Sequence, residues 1–113
     1  MGRKHKSIIQ QDSTVCFLQD CTCFGGIEEH HVIFGHGKRK IADREGLVVY
    51  LCYNHHQGTD GVHGKNGHPL DVMLKEIAQE EWERKFIEEY PYENHAEEAA
   101  REAFIRLFGR NYL

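Results

Sequence analysis

Several features that would assign the chain to a membrane, secreted or repetitive protein are missing from its sequence. No apolar run approaches the roughly 20 residues that a membrane-spanning helix needs. No signal-peptide core follows the short basic start at residues 3–6, and we find neither an internal repeat nor a low-complexity segment. The sequence therefore predicts one small, soluble, cytoplasmic domain, in which the cysteines are metal ligands rather than disulfide partners.

A basic overall charge, typical of nucleic-acid-binding proteins, is also missing, because the net charge is -4. The charge is uneven, however. Residues 1–68 contain 8 Lys and Arg against 7 Asp and Glu, whereas residues 69–113 contain 6 against 11. Two compact basic clusters, 3–6 and 36–40, lie in the first part. Local patches decide whether a phosphate backbone can approach, so the charge permits a nucleic-acid partner without requiring one.

Short apolar runs in the first part predict strands. Residues 27–34 follow the Gly25-Gly26 turn and precede Gly35, and residues 47–51 form a continuous apolar run. A short helix is expected from Tyr53, interrupted by the turn-forming residues 58–61.

The second part predicts two helices. Apolar residues recur at helical spacing from Leu70 through Met73 to Phe86 and stop at Tyr90-Pro91, and a last helix is expected after Asn94 as N-cap, closed by Gly109. The fold class is therefore α+β within a single domain, 1–113. Its predicted parts are a flexible basic arm over 1–12, a metal-binding lobe over 13–68 and a helical cover over 69–113.

Histidine and cysteine are concentrated in the middle of the chain, where seven of the nine histidines fall between His30 and His68. Two close pairs, Cys16 with Cys21 and Cys52 with His55, have the spacing that four-ligand zinc sites use. Cys23 could replace Cys21 as a ligand, since the spacing does not decide between them.

The remaining histidines predict a second, open metal centre. Successive helical residues point about 100° apart, so His55 can face the zinc while His56 faces another site. A divalent-metal hydrolase needs an ion to polarise a phosphate and a neutral base, for which imidazole is suited, to activate water. His30 and His31 can serve one site only if their strand ends or bends there, because adjacent strand residues point to opposite faces. In a regular strand, His30 would instead support a ligand through a hydrogen bond.

The order and spacing of these motifs resemble the HNH (ββα-metal, or His-Me finger) endonucleases, and most closely their small phage and prophage members. The stretches that carry the likeness are His-His-Val-Ile-Phe-Gly at 30–35, Gly-Leu-Val-Val-Tyr-Leu-Cys at 46–52, His-His at 55–56, Gly-Val-His at 61–63 and Phe-Gly-Arg-Asn-Tyr-Leu at 108–113. The likeness runs from about Cys16 to the C-terminus and so covers most of the chain.

The resemblance implies a zinc-stapled ββα-metal finger, a short β-hairpin plus a helix, that acts as a metal-dependent DNA endonuclease in a bacterial host cell. It implies that His31 is the general base. It assigns a catalytic divalent ion (Mg²⁺ or another such as Mn²⁺ or Ni²⁺) to His30, His56 and His63. It assigns a structural Zn²⁺ to Cys16, Cys21, Cys52 and His55. From charge alone, we add Lys38, Arg39 and Lys40 as contacts to the phosphate backbone of DNA, and a protein partner could direct specificity.

The sequence departs from the family pattern in three places. Cys16 and Cys21 are separated by four residues instead of two. Leu47 replaces the middle Asn of the HNH name, so Asp43 is the candidate to brace the loop between the strands. His63 lies seven residues after His56, so a turn must return it to the metal. Two rival functions therefore stay open, a non-catalytic zinc-ordered module that binds DNA or protein, and an RNA nuclease. The sequence offers no aromatic stacking platform in favour of single-stranded RNA.

Overall fold

The structure is a computed structural model and describes residues 7–18, 21, 26–91 and 94–113. Over these residues the elements are, in chain order, β1 (Ile27–His31), α1 (Lys38–Glu45), β2 (Val48–Cys52), α2 (Tyr53–His56), α3 (His68–Glu89) and α4 (Ala96–Phe108). This order confirms the predicted α+β class. None of the helices in these ranges combines the length and the apolar character that a bilayer crossing requires.

The two strands pair antiparallel, with His30 opposite Val49 and His31 opposite Val48. All five residues of β2 are buried, because this strand is apolar on both faces and lies inside the core. Strand β1 ends at His31 rather than at residue 34 as predicted. Val32 extends the pairing by one hydrogen bond, from its N–H to the Leu47 carbonyl at 3.0 Å, and Val32 and Ile33 are fully buried in the core.

Helix α1 was missed by the sequence prediction, which noted residues 36–40 only as a basic cluster. The helix begins after Gly37 and ends before Gly46, both with φ in the left-handed region, at 77° and 78°. Its signal is weak because Ala42 is its one fully buried residue, so no long apolar stripe marks it. The helix places Arg39 and Asp43 beside the end of β1.

Helices α3 and α4 pack on each other and share one core with the sheet. The buried members of that core are Val32, Ile33, Ala42, Leu47, Val49, Leu51, Val62, Leu74, Ala78, Phe104 and Phe108. Met73, predicted to be core, is 38% exposed, because it lies at the edge of the buried stripe. The N-cap of α4 is His95 rather than Asn94, and Gly109 ends the helix as expected.

A buried polar network fixes the C-terminus on α3. The Gln79 side chain donates to Glu83 and Asn111 at 2.7 and 2.8 Å and accepts the backbone N–H of Tyr112 at 2.6 Å. Gln79 is fully buried, so this network compensates for the loss of its hydration. The Asn-Tyr-Leu ending of the chain therefore has a packing role.

The segment that leads to the first cysteine lies along the free edge of β2. The N–H of Ile8 donates to the Gly46 carbonyl at 2.9 Å, Gln10 Oε1 accepts the N–H of Tyr50 at 2.8 Å, and the N–H of Phe17 donates to the Tyr50 carbonyl at 2.7 Å. The flexible arm expected over 1–12 is thus docked from residue 7 onward, because the open strand edge supplies partners for its polar groups. Residues 1–6 lie outside the described ranges.

Candidate metal centres and the adjoining cleft

Cys16, Cys21, Cys52 and His55, called here the cysteine cluster, bring their ligand atoms within 4.8 Å of one another. Strand β2 ends at Cys52 and α2 follows at once, which places His55 one turn above it. Phe17, held on the backbone of Tyr50, brings Cys16 to the same end of the strand. Four ligands from three chain segments therefore meet at one point.

The spacing of these atoms fits a tetrahedral ion. The Sγ atoms of Cys21 and Cys52 are 3.7 Å apart, and His55 Nδ1 lies 3.5, 3.5 and 3.2 Å from the sulfurs of Cys16, Cys21 and Cys52. Zinc with bonds of about 2.3 Å to sulfur and about 2.0 Å to nitrogen requires edges of about 3.8 Å (S···S) and about 3.5 Å (S···N). The cysteine cluster can therefore hold a metal ion with the dimensions of tetrahedral zinc.

Two further observations concern the thiols of this cluster. Burial raises the pKa of Cys16, so an ion that binds here would displace protons. Cys21 occupies the fourth ligand position, and the alternative ligand Cys23 lies outside the described residues.

His30, His56 and His63, called here the histidine cluster, form a second group whose ligand nitrogens lie within 4.8 Å of one another. Their ring centroids are 4.9 to 5.1 Å apart. His30 is 2% exposed, and its Nε2 is a buried atom with no hydrogen-bond partner among the residues that the structure describes. Such an atom is costly in a protein interior, and a metal ion bound by the three nitrogens would satisfy it.

The turn after α2 returns His63 to the other two histidines, as the sequence required. The N–H of Val62 donates to the His55 carbonyl at 2.9 Å, and the N–H of His63 donates to the His56 carbonyl at 3.0 Å. Gly61 permits this close approach, because a Cβ there would lie 2.6 Å from the Asn54 carbonyl oxygen.

Glu28 orients one member of the histidine cluster. Its carboxylate accepts a hydrogen bond from His56 Nδ1 at 2.6 Å, which leaves His56 Nε2 to face the other histidines. A carboxylate behind a ligand histidine is the usual outer-shell arrangement of metal sites. The sequence analysis missed Glu28, although its position two residues before His30 places both on the same face of β1.

Two imidazoles of this cluster, those of His30 and His63, have a lowered pKa. Burial lowers the pKa of His30 to about 3, and the neighbouring His56 and His63 contribute to the shift. Burial also lowers the pKa of His63, again with a contribution from His56. A neutral imidazole is the form that binds a metal ion, so His30 and His63 are in their ligand state at neutral pH.

His31 lies outside the histidine cluster and is paired with α1. Its Nε2 is 2.9 Å from Asp43 Oδ1, and Arg39 Nε donates to its Nδ1 at 3.4 Å. Glu29 Oε1 lies 3.7 Å from the same Nε2. The candidate brace Asp43 thus contacts His31 directly.

A cleft of about 370 Å³ joins the histidine cluster to His31. It is lined by Glu29, His30, His31, Phe34, Arg39, His56, Gln57 and His63. His30 and His31 both line this cleft, although they are adjacent residues of β1. The cleft can therefore present an ion, an imidazole and a guanidinium to one ligand.

The three basic residues that we proposed as phosphate contacts differ in whether they line the cleft. Arg39 lines the cleft, and Arg39 and Lys40 both line an adjoining hollow next to His31 and Asp43. Lys38 lines neither of these depressions.

Comparison of the chain with protein-family models, with curated proteins and with solved structures gives no match.

Proposed function

We propose that the protein is a metal-dependent endonuclease of the HNH type that hydrolyses phosphodiester bonds in DNA. The observation that carries the proposal is the shared cleft, in which three histidines able to hold an ion lie beside His31 and Arg39. Polarisation of a phosphate, deprotonation of a water and neutralisation of the backbone charge require this combination of groups.

Each residue has a defined role in the proposed reaction. An ion bound by the histidine cluster would polarise the scissile phosphate and stabilise the leaving 3′ oxygen. His31 takes a proton from the water that attacks phosphorus in line with that oxygen. Arg39 and Lys40 bind the phosphate backbone as fixed cations, whereas Lys38 lies away from the cleft and is the weaker candidate.

The ligand set favours some ions over others. Imidazole suits zinc, nickel and similar transition ions, whereas Mg²⁺ prefers oxygen ligands. A site of three imidazoles therefore supports Ni²⁺, Zn²⁺ or Mn²⁺ more than the Mg²⁺ that the resemblance allowed, with Mn²⁺ the least favoured of the three.

In this proposal the cysteine cluster holds a structural zinc and takes no part in the reaction. Its four protein ligands complete a tetrahedron and leave no position for water, as in structural rather than catalytic zinc sites. The zinc would join the N-terminal segment, the end of β2 and α2, which together position His56.

The test is cleavage of supercoiled plasmid by wild-type protein and by His31→Ala, each with added Ni²⁺, Mn²⁺ or Mg²⁺ or with chelator. We expect ion-dependent cleavage by the wild type and its loss in His31→Ala, with unchanged folding and metal content. His68→Ala is the matched control, because His68 is exposed at the start of α3.

Three results would contradict the proposal or part of it. Cleavage at the wild-type rate by His31→Ala would remove the base assignment. A folded, metal-loaded protein that cleaves under no condition would favour the non-catalytic module. Faster cleavage of a matched RNA than of DNA would favour the RNA nuclease.

A further inference from the structure

We infer that Asp43 is the positioning residue for His31, and that it leaves Nδ1 of His31 as the atom that accepts the proton from water. This inference rests on the proposed function for its catalytic meaning. The pairing itself depends only on contacts of described residues.

The first support is the contact between Asp43 and His31. A carboxylate oxygen is an acceptor, so the 2.9 Å contact requires that His31 Nε2 carries the proton and donates it to Asp43 Oδ1. The side chains of His31 and Asp43 are 10% and 20% exposed, which limits competition from water. A neutral imidazole with its proton on Nε2 has its lone pair on Nδ1.

The second support is independent and comes from Arg39. Its Nε–H group can only donate, so its contact with His31 Nδ1 at 3.4 Å requires a lone pair on that nitrogen. Both contacts therefore demand the same tautomer. Arg39 is exposed, lines the cleft and makes only a long contact, so water or a phosphate can replace it at Nδ1.

The backbone holds Asp43 firmly in place for this role. The residue before it, Ala42, is fully buried in the core, and α1 ends two residues later with Gly46 as its C-cap. Asp43 therefore approaches the end of β1 from a separate, anchored element. This fixes the orientation of the ring as well as its tautomer, as carboxylates do for histidines in other active sites.

The alternative to the hydrogen bond between His31 and Asp43 is a metal site. The ligand atoms of Glu29, His31 and Asp43 lie within 4.8 Å of one another and could hold an ion. Two cations, Arg39 and Lys40, line the same hollow and offset the negative charge of the carboxylates of Glu29 and Asp43, which would otherwise attract a metal ion. The charges around His31 thus favour the hydrogen-bonded pair.

The test combines imidazole ¹⁵N NMR with cleavage kinetics at mildly alkaline pH. In the wild type we expect the His31 shifts of an Nε2–H tautomer. In Asp43→Asn the amide can donate to Nε2, so the tautomer should shift towards Nδ1–H and kcat should fall by about 10- to 100-fold, with KM little changed. Asp43→Glu should restore part of the activity, because it keeps the acceptor.

The control Glu102→Gln removes an exposed carboxylate from α4 and should change neither the His31 tautomer nor kcat. An Nδ1–H tautomer in a wild type that cleaves DNA would overturn this inference alone, as would an Asp43→Asn variant with wild-type kcat. Line broadening that shows Mn²⁺ bound at Asp43 and Glu29 would also overturn it. An Nε2–H tautomer in a protein that cleaves with no ion would instead overturn the proposed function, and with it the catalytic role of Asp43.

Discussion

Replacement of Cys52 by Ser should weaken the binding of an ion by the cysteine cluster and destabilise the fold. Cys52 is fully buried at the end of β2, and its sulfur lies 3.2 Å from His55 Nδ1 and 3.7 Å from the sulfur of Cys21. Serine fits the space, but its hydroxyl is a poor zinc ligand. The substitution therefore tests the ion rather than the packing.

The size of the effect follows from the number of ligands. Structural zinc contributes roughly 10–16 kcal/mol in small peptides, so one of four ligands corresponds to about 3 kcal/mol. Domains of this size are stable by about 5–15 kcal/mol, so the loss is a large fraction of the total. It should lower Tm by roughly 12 °C.

The assay is metal content by a chromogenic chelator together with thermal unfolding followed by circular dichroism. We expect Cys52→Ser to release one equivalent of zinc to the chelator at a concentration at which the wild type keeps it, because about 3 kcal/mol corresponds to a loss of affinity of roughly 100-fold. Cys23→Ser should keep its zinc, because four other ligands complete the tetrahedron. A Cys52→Ser protein with full zinc content and wild-type Tm would refute the assignment of the cysteine cluster as a metal site.

Three further substitutions test other parts of the structure. Glu28→Ala should weaken metal binding at the histidine cluster by about 10- to 100-fold, measured by competition with a fluorescent chelator, because it removes the acceptor for His56 Nδ1; unchanged affinity would exclude the outer-shell role. Gly61→Ala should reduce the same affinity, because its Cβ would collide with the Asn54 carbonyl and displace His63; a variant that binds as tightly as wild type would show that the turn adjusts. Phe104→Ala should cost about 3–5 kcal/mol in urea unfolding, because the ring is fully buried against Trp82 and Phe108; a loss below about 1 kcal/mol would contradict this packing.

The sequence predicted the parts of the fold that have a strong local signal. The periodicity of α3 and α4 and the apolar run of β2 are of this kind, because their buried faces are long. Helix α1 has one fully buried residue and therefore no periodic stripe to recognise.

The candidate site likewise has parts with a local sequence signal and parts without one. The close pairs Cys16 with Cys21 and Cys52 with His55 predicted residues that the fold brings together, whereas the set of His30, His56 and His63 followed from the family resemblance. The roles of Glu28 and Asp43 depend on contacts across 28 and 12 residues of sequence, which local spacing does not reveal.

The most direct test of the central claim is the rate of plasmid cleavage by protein whose weakly bound ions have been removed by a mild chelator, measured as Ni²⁺ or Zn²⁺ is added back. The proposed function predicts no cleavage before addition, cleavage that saturates at one added ion per chain, and no recovery in His63→Ala. Cleavage without the ion, or equal recovery in His63→Ala, would contradict an ion-dependent reaction at the histidine cluster.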